Sequence, residues 1–151
     1  MKLFKRKMGK KMKTAVNALA DGIECGAKLH PRVEGKLAGR FGYDDEPEFK
    51  WGTCALGAAA VCYRAKTEPI TDAVLKDIKN TNHSSILALY SVPDRSIENM
   101  VEIDFAKYPG KKNGFSGKVL DGYTISEMIW RLNDWYHMSR EDIARFLRDL
   151  E

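Results

Sequence analysis

Three residues of this chain are of types that do covalent chemistry together: Cys54, His83 and Asp104, in that order. A thiol nucleophile needs a base to take its proton and a carboxylate to hold that base in one tautomer. Cys54 lies in Trp51-Gly-Thr-Cys-Ala-Leu-Gly-Ala58, where an almost entirely apolar helix is expected to begin. Unpaired N–H groups and the positive end of a helix dipole favour a thiolate at such a start. The same position suits a second role, because a cysteine among apolar neighbours packs as a small, inert hydrophobe. The residues therefore set two expectations. One is a hydrolase or acyltransferase with Cys54 as nucleophile, His83 as base and Asp104 as orienting carboxylate. The other is a core cysteine in a protein that works by binding.

A second candidate site is cationic. Tyr108-Pro-Gly-Lys-Lys-Asn-Gly-Phe-Ser-Gly-Lys118 has the glycines and lysines of a phosphate-binding loop but not their order, since Lys112 stands where glycine belongs and Val119 follows Lys118 in place of Ser or Thr. Nucleotide hydrolysis is not expected. Lys111, Lys112 and Lys118 remain candidates for contacting a small anionic ligand such as a signalling nucleotide. No Cys-x-x-Cys or His-x-x-x-His spacing occurs, and His30, His83 and His137 are far apart in sequence, so neither a metal nor another cofactor is expected. The three cysteines, at 25, 54 and 62, are an odd count without close pairs and do not read as a disulfide framework. Cys54 and Cys62 on one helix would stand about 12 Å apart along its axis, beyond disulfide reach. A cytoplasmic protein is the expectation.

These candidates have to be held by a scaffold of 151 residues, the size of one domain. At 44% hydrophobic and 30% charged the composition is that of an ordinary globular chain, and no window approaches the roughly eighteen apolar residues of a membrane helix. The first thirteen residues carry seven cations and no acid, which leaves 18 basic against 21 acidic residues, a body near −3. A broad nucleic-acid-binding face is disfavoured. Contact with nucleic acid or an anionic membrane is expected only through the basic tail, residues 1–13, ahead of a single globular domain at 14–151.

Within that domain, Met12, Ala15, Val16, Leu19, Ile23 and Ala27 repeat at helical spacing over Met12–Lys28. Glycines and an acidic patch then predict a long irregular loop over 30–50. Thr53 is the expected N-cap of the Cys54 helix, and Pro69 with Thr71 opens another. Ile86–Val92 and the alternating Val101, Ile103 and Phe105 predict a two-stranded hairpin. Thr124-Ile-Ser-Glu127 is a capping box, with Ile125, Met128, Ile129, Leu132, Trp135 and Tyr136 as the inner face behind it, and Ser139 caps a last helix. The fold class is a mainly helical α+β: a central apolar helix packed by the N-terminal helix and a tight C-terminal helical pair, with a small β-hairpin.

The order of Cys54, His83 and Asp104, with the cysteine at a helix start, resembles papain-like and transglutaminase-like thiol enzymes. The aromatic and glycine residues usual around the histidine of those enzymes are absent near His83. More of the chain is similar to a family of small uncharacterised phage and bacterial proteins. The resemblance lies in the N-terminal amphipathic helix, Thr53-Cys-Ala-Leu-Gly57, Leu132-Asn-Asp134 and Ser139-Arg-Glu-Asp-Ile-Ala144, and it does not cover about Lys66 to Gly122, where His83 and Asp104 lie. It implies no known reaction. It implies a phage or bacterial context, and within that context the function expected of the chain is that of an accessory or binding protein, with a host protein or a small anion meeting the lysine loop as candidate ligand. In physical terms, Asn133 or Asp134 is expected to accept hydrogen bonds from N–H groups near Cys54 and so tie the central helix to the C-terminal pair.

Overall fold

A computed structural model describes residues 8–41, 50–96, 107–108 and 123–150. Its elements run α1 (Lys10–Ala27), β1 (Ala38–Phe41), β2 (Lys50–Thr53), α2 (Ala55–Ala65), α3 (Asp72–Asn80), α4 (His83–Leu89), α5 (Ile125–Asp134) and α6 (Arg140–Asp149). This is the mainly helical α+β class that the sequence predicts, with α2 as its axis. Every residue from Ala55 to Cys62 is buried, as a helix apolar on all sides must be. It is packed by α1, α3, α4 and α5.

The α1–α2 contact is the closest of these, and small residues make it possible. A side-chain carbon at Gly26 would stand 1.8 Å from the carbonyl oxygen of Ala58, and one at Gly57 would stand 1.7 Å from that of Leu37. Backbone therefore lies directly on backbone at both Gly57 and Ala58, in the first turn of α2. The approach also brings Cys25 of α1 to Cys62 of α2, with Cα atoms 5.7 Å apart, and the two form a disulfide. The expectation of three unpaired cysteines is thereby corrected. Helix packing closes a sequence separation of 37 residues that spacing alone does not reveal. A crosslink over such a loop stabilises the fold by about 4 kcal/mol on chain-entropy grounds.

Two further expectations are corrected. The hairpin exists, but it is β1–β2, antiparallel with Ala38 opposite Thr53 and Phe41 opposite Lys50, with β1 inside the stretch expected to be irregular and β2 at its far end. It docks on α3, where the Trp51 indole N–H and the Arg40 guanidinium both donate to Asp72, each at 3.1 Å. The run expected as the first hairpin strand is instead α4 and the turn after it. Asn82 accepts the Ser85 N–H at 2.8 Å and caps that helix, which starts the segment as a helix ahead of the apolar run. The other expected strand, at Val101, Ile103 and Phe105, lies outside the described residues.

The C-terminal helices do not form a tight pair either. α6 lies mainly along α1, where Arg148 binds Asp21 at 2.6 Å and also binds Glu24. Lys13, counted with the basic tail, belongs to α1 and donates to the carbonyls of Arg148 and Leu150 at the end of α6. Charge at a helix C-terminus and satisfied carbonyls are what that position calls for. Trp135, placed by spacing on the inner face of α5, is 40% exposed.

The backbone contact at Gly26 yields a test. Gly26→Ala is expected to lower unfolding stability by about 1–3 kcal/mol through overpacking, measured by urea denaturation. Gly9→Ala, with nothing within 4 Å of the added carbon, serves as the control.

Candidate functional site

Cys54 ends β2 and opens α2, and the cap of that helix is its own sulfur, not the Thr53 hydroxyl. The Gly57 N–H donates to Cys54 Sγ at 3.4 Å, while the Cys54 N–H donates to the Leu37 carbonyl at 3.2 Å. The residue is 4% exposed, and burial pushes the thiol up to about 11, with the Asp134 carboxylate adding in the same direction against the opposing pull of the Gly57 and Leu56 N–H groups. The helix terminus thus gives the sulfur a hydrogen bond without making it a thiolate at neutral pH, because the lost hydration outweighs the dipole.

Thr53 is occupied otherwise. Its N–H donates to Pro31 O at 2.8 Å and its carbonyl accepts from the Val33 N–H at 3.1 Å, which adds a short parallel bridge on the side of β2 away from β1. Its hydroxyl accepts from Arg140 at 2.9 Å. Arg140, the first residue of α6, is 5% exposed and faces no carboxylate among its hydrogen-bond partners. Its guanidinium spans the carbonyls of Thr53 at 3.3 Å, Pro31 at 3.5 Å and Ala27 at 3.1 Å. Ala27 is the last residue of α1, so the cation sits at the negative end of that helix dipole. Burial lowers the Arg140 pKa from its ordinary value.

Beside this cation runs a chain of polar contacts. Arg32 donates to Glu34 at 2.7 Å and to the Asn133 carbonyl, and Glu34 also meets His137 Nδ1 at 2.5 Å. Asn133 is fully buried, and its amide donates to Val33 O at 3.0 Å and to Asp134 at 2.7 Å. The Leu-Asn-Asp segment therefore holds residues 32–34, and among the described residues the expected bonds from Asn133 or Asp134 to N–H groups near Cys54 are not made. The Asn133 side chain acts as donor, and Arg140 makes the link to the Cys54 turn instead. His137 sits in the left-handed region, φ 52°, at the turn between α5 and α6.

His83 is the first residue of α4 and half-buried. Burial lowers its pKa, against the carboxylates of Asp134 and Asp94. Among the described residues no hydrogen bond joins it to Cys54. Asp104 and the lysines Lys111, Lys112 and Lys118 lie outside the described residues. The carboxylate beside α4 is Asp94, which the sequence reading did not single out. It accepts from Ser84 at 2.6 Å, from the Ser126 hydroxyl at 2.6 Å and from the Ser126 N–H at 3.0 Å, which places a negative charge in the first turn of α5. Burial works to raise it, but the hydrogen bonds prevail and hold it below its ordinary value. The serines at 84 and 126 beside an Asp-Arg turn are a weak signal, legible only once the helices are placed.

On the outer side of α5 the Arg131 guanidinium lies over three rings, 3.9 Å from Trp135, 4.2 Å from Tyr123 and 4.9 Å from Trp130. Here a sequence signal was available, because Arg131 and Trp135 are four apart on one helix and so must be neighbours. A shallow cleft of about 180 Å³ opens elsewhere, between α2, α3 and α4. Its one guanidinium, Arg64, is already taken by Glu68 at 2.9 Å and Asp77 at 2.7 Å.

No protein-family model matches this chain, and no curated protein or solved structure matches it. Among the described residues no three His, Cys, Asp or Glu side chains gather as a metal ion requires, and no helix is long and apolar enough to cross a membrane.

Two measurements check this geometry. Arg140→Met removes the donor shared by the Thr53 hydroxyl and the carbonyls of Thr53, Pro31 and Ala27, and is expected to cost about 3 kcal/mol in chemical denaturation. Asp94→Asn tests the α4–α5 junction. With the folded pKa below the unfolded value of about 3.9, the stabilisation by Asp94 is present above that pH and fades as pH falls through the folded pKa. The variant is therefore expected to be less stable by about 1–2 kcal/mol at neutral pH, with the gap to the parent closing at acid pH. A gap that stays constant with pH refutes the charge-based account.

Proposed function

We propose that this protein is a small accessory protein that acts by binding a partner protein, and not a thiol hydrolase or acyltransferase. One observation carries the proposal: the Cys54 sulfur is an internal helix cap, enclosed by the core and protonated at neutral pH. A nucleophile has to meet its substrate and its base. This sulfur is bonded to Gly57 and the residue is buried in the core with its own N–H on the Leu37 carbonyl, so its packing role accounts for its position. The Cys-x-Leu-Gly and Leu-Asn-Asp resemblance supports a phage or bacterial setting, in which a host protein is the partner class. The small-anion reading depends on Lys111, Lys112 and Lys118, and nothing in the described residues adds to it.

Iodoacetamide labelling with mass detection tests this. The native protein at mildly alkaline pH is expected to take up no label while a free thiol such as glutathione reacts completely. Unfolding should expose one thiol, Cys54, and reduction of the Cys25–Cys62 bond should bring the total to three. Native alkylation of Cys54 faster than glutathione would restore the hydrolase reading. Cys54→Ser, which keeps a side-chain cap, is expected to leave the fold and any partner binding intact.

A further inference from the structure

We infer that the outer face of α5, formed by Tyr123, Trp130, Arg131 and Trp135, is the docking surface, and that its partner is an acidic protein segment whose carboxylate meets the Arg131 guanidinium while an apolar side chain covers Trp135. The inference rests on the binding reading above and names its surface and chemistry.

The argument begins with an unneutralised cation. Arg131 has two carboxylates at helix-neighbour spacing, Glu127 four residues before it and Asp134 three residues after it, and neither pairs with it. Glu127 is bonded to Thr124 at 3.2 Å and Asp134 to Asn133 at 2.7 Å. Among the described residues no carboxylate lies within ion-pair distance of Arg131, whereas Arg32, Arg40, Arg64, Arg145 and Arg148 all have one. Its Nε is enclosed yet bonded to nothing. What surrounds it instead are ring faces, at 3.9 Å for Trp135 and 4.2 Å for Tyr123. Stacking holds the planar cation in one orientation before anything binds, and the N–H edge left over is the part of a guanidinium that takes a carboxylate in two parallel hydrogen bonds.

The composition of the face points to a protein partner. Tryptophan, tyrosine and arginine are the residues that dominate binding energy at protein interfaces, and burying an already ordered ring loses little conformational entropy. Trp135 is 40% exposed and meets Trp130 edge to face with centroids 5.7 Å apart, which makes a rigid apolar floor beside the cation. A nucleic-acid strand would call for a row of cations tracking its phosphates. The described residues of this face supply one, which suits a single carboxylate flanked by apolar contact.

The test uses the full chain and a twelve-residue synthetic peptide of glutamate, leucine and phenylalanine. A peptide with glutamine in place of glutamate and a twelve-nucleotide oligothymidine are the comparison probes. Binding is followed by the indole N–H signals of Trp130 and Trp135 in nitrogen-15 NMR. The expected result is saturable movement of both signals with the acidic peptide, at least tenfold weaker binding of the glutamine peptide, and a similar loss in Arg131→Gln and Trp135→Ala. Arg131→Lys should recover only part of the loss, because it keeps the charge and gives up the stacked plane. Equal binding of both peptides, or no effect of Arg131→Gln, would overturn the charge assignment. Binding of the oligonucleotide without the acidic peptide would make the face a nucleic-acid surface, and no indole response to any probe would leave a stack that is only structural. Either result sinks the inference. If Cys54 still resists alkylation in those cases, the binding reading stands without this face. Native alkylation removes the binding reading itself, whatever the peptides do.

Discussion

One buried guanidinium holds the polar interior of this protein together. Arg140 starts α6, yet its donors end on the last turn of α1, on the carbonyl of Pro31 and on Thr53, immediately before the Cys54 cap. Segments more than eighty residues apart in the chain thus share a single cation. A charge without a carboxylate partner is tolerable here because four oxygens and the α1 dipole stand in for water, two of those oxygens, the Pro31 and Thr53 carbonyls, also accepting a backbone N–H. The neighbouring chain from Arg32 through Glu34 to His137 and the Asn133 amide extends the same tie to the turn between α5 and α6.

The second constraint is steric. α1 and α2 meet backbone to backbone because Gly26 has no side chain, and Leu37 reaches the Cys54 turn because Gly57 has none. The first contact makes the Cys25–Cys62 bond possible, and Gly22 in turn leaves room for the Tyr90 hydroxyl, which donates to the Ala59 carbonyl at 2.6 Å. The features that look most like a thiol active site in sequence, a glycine-flanked cysteine at the head of an alanine-rich helix, are also those of a tightly packed helix start. Whether such a cysteine is reactive depends on what lies over it. Here it is core.

With the interior committed to packing, the exposed chemistry falls to the outer side of α5. The inner side of that helix is spent on Met128, Ile129 and Leu132, and its first N–H groups are satisfied by Thr124 and by Asp94. Arg131 and its rings are what the helix has left to present. The same helix that is anchored through Asn133 thereby carries an ordered surface, and order before binding is what makes an aromatic contact effective.

Much of the helical scaffold was legible in the sequence. Periodic apolar residues gave α1, Thr71, Thr124 and Ser139 gave three helix starts to the residue, and the unbroken apolar run from Ala55 gave a central helix. These are local matters, decided by side-chain spacing and by hydroxyls that satisfy neighbouring N–H groups. The hairpin's position, the helix at His83, the side chain that caps α2 and the exposure of Trp135 were not legible, since a short apolar run fits either period and an Asn bounds a strand or caps a helix equally well. The disulfide, the partners of Asp94 and the role of Arg140 were further out of reach. Each depends on groups dozens of residues apart meeting at a few ångströms. Local spacing and hydroxyl caps were enough to place α1, α3, α5 and α6 and a helix after Thr53; that Cys54 is covered, that Arg140 is bound to carbonyls and that Arg131 lies among rings with no carboxylate partner among the described residues came from the assembled chain, because burial and pairing are set by residues distant in sequence.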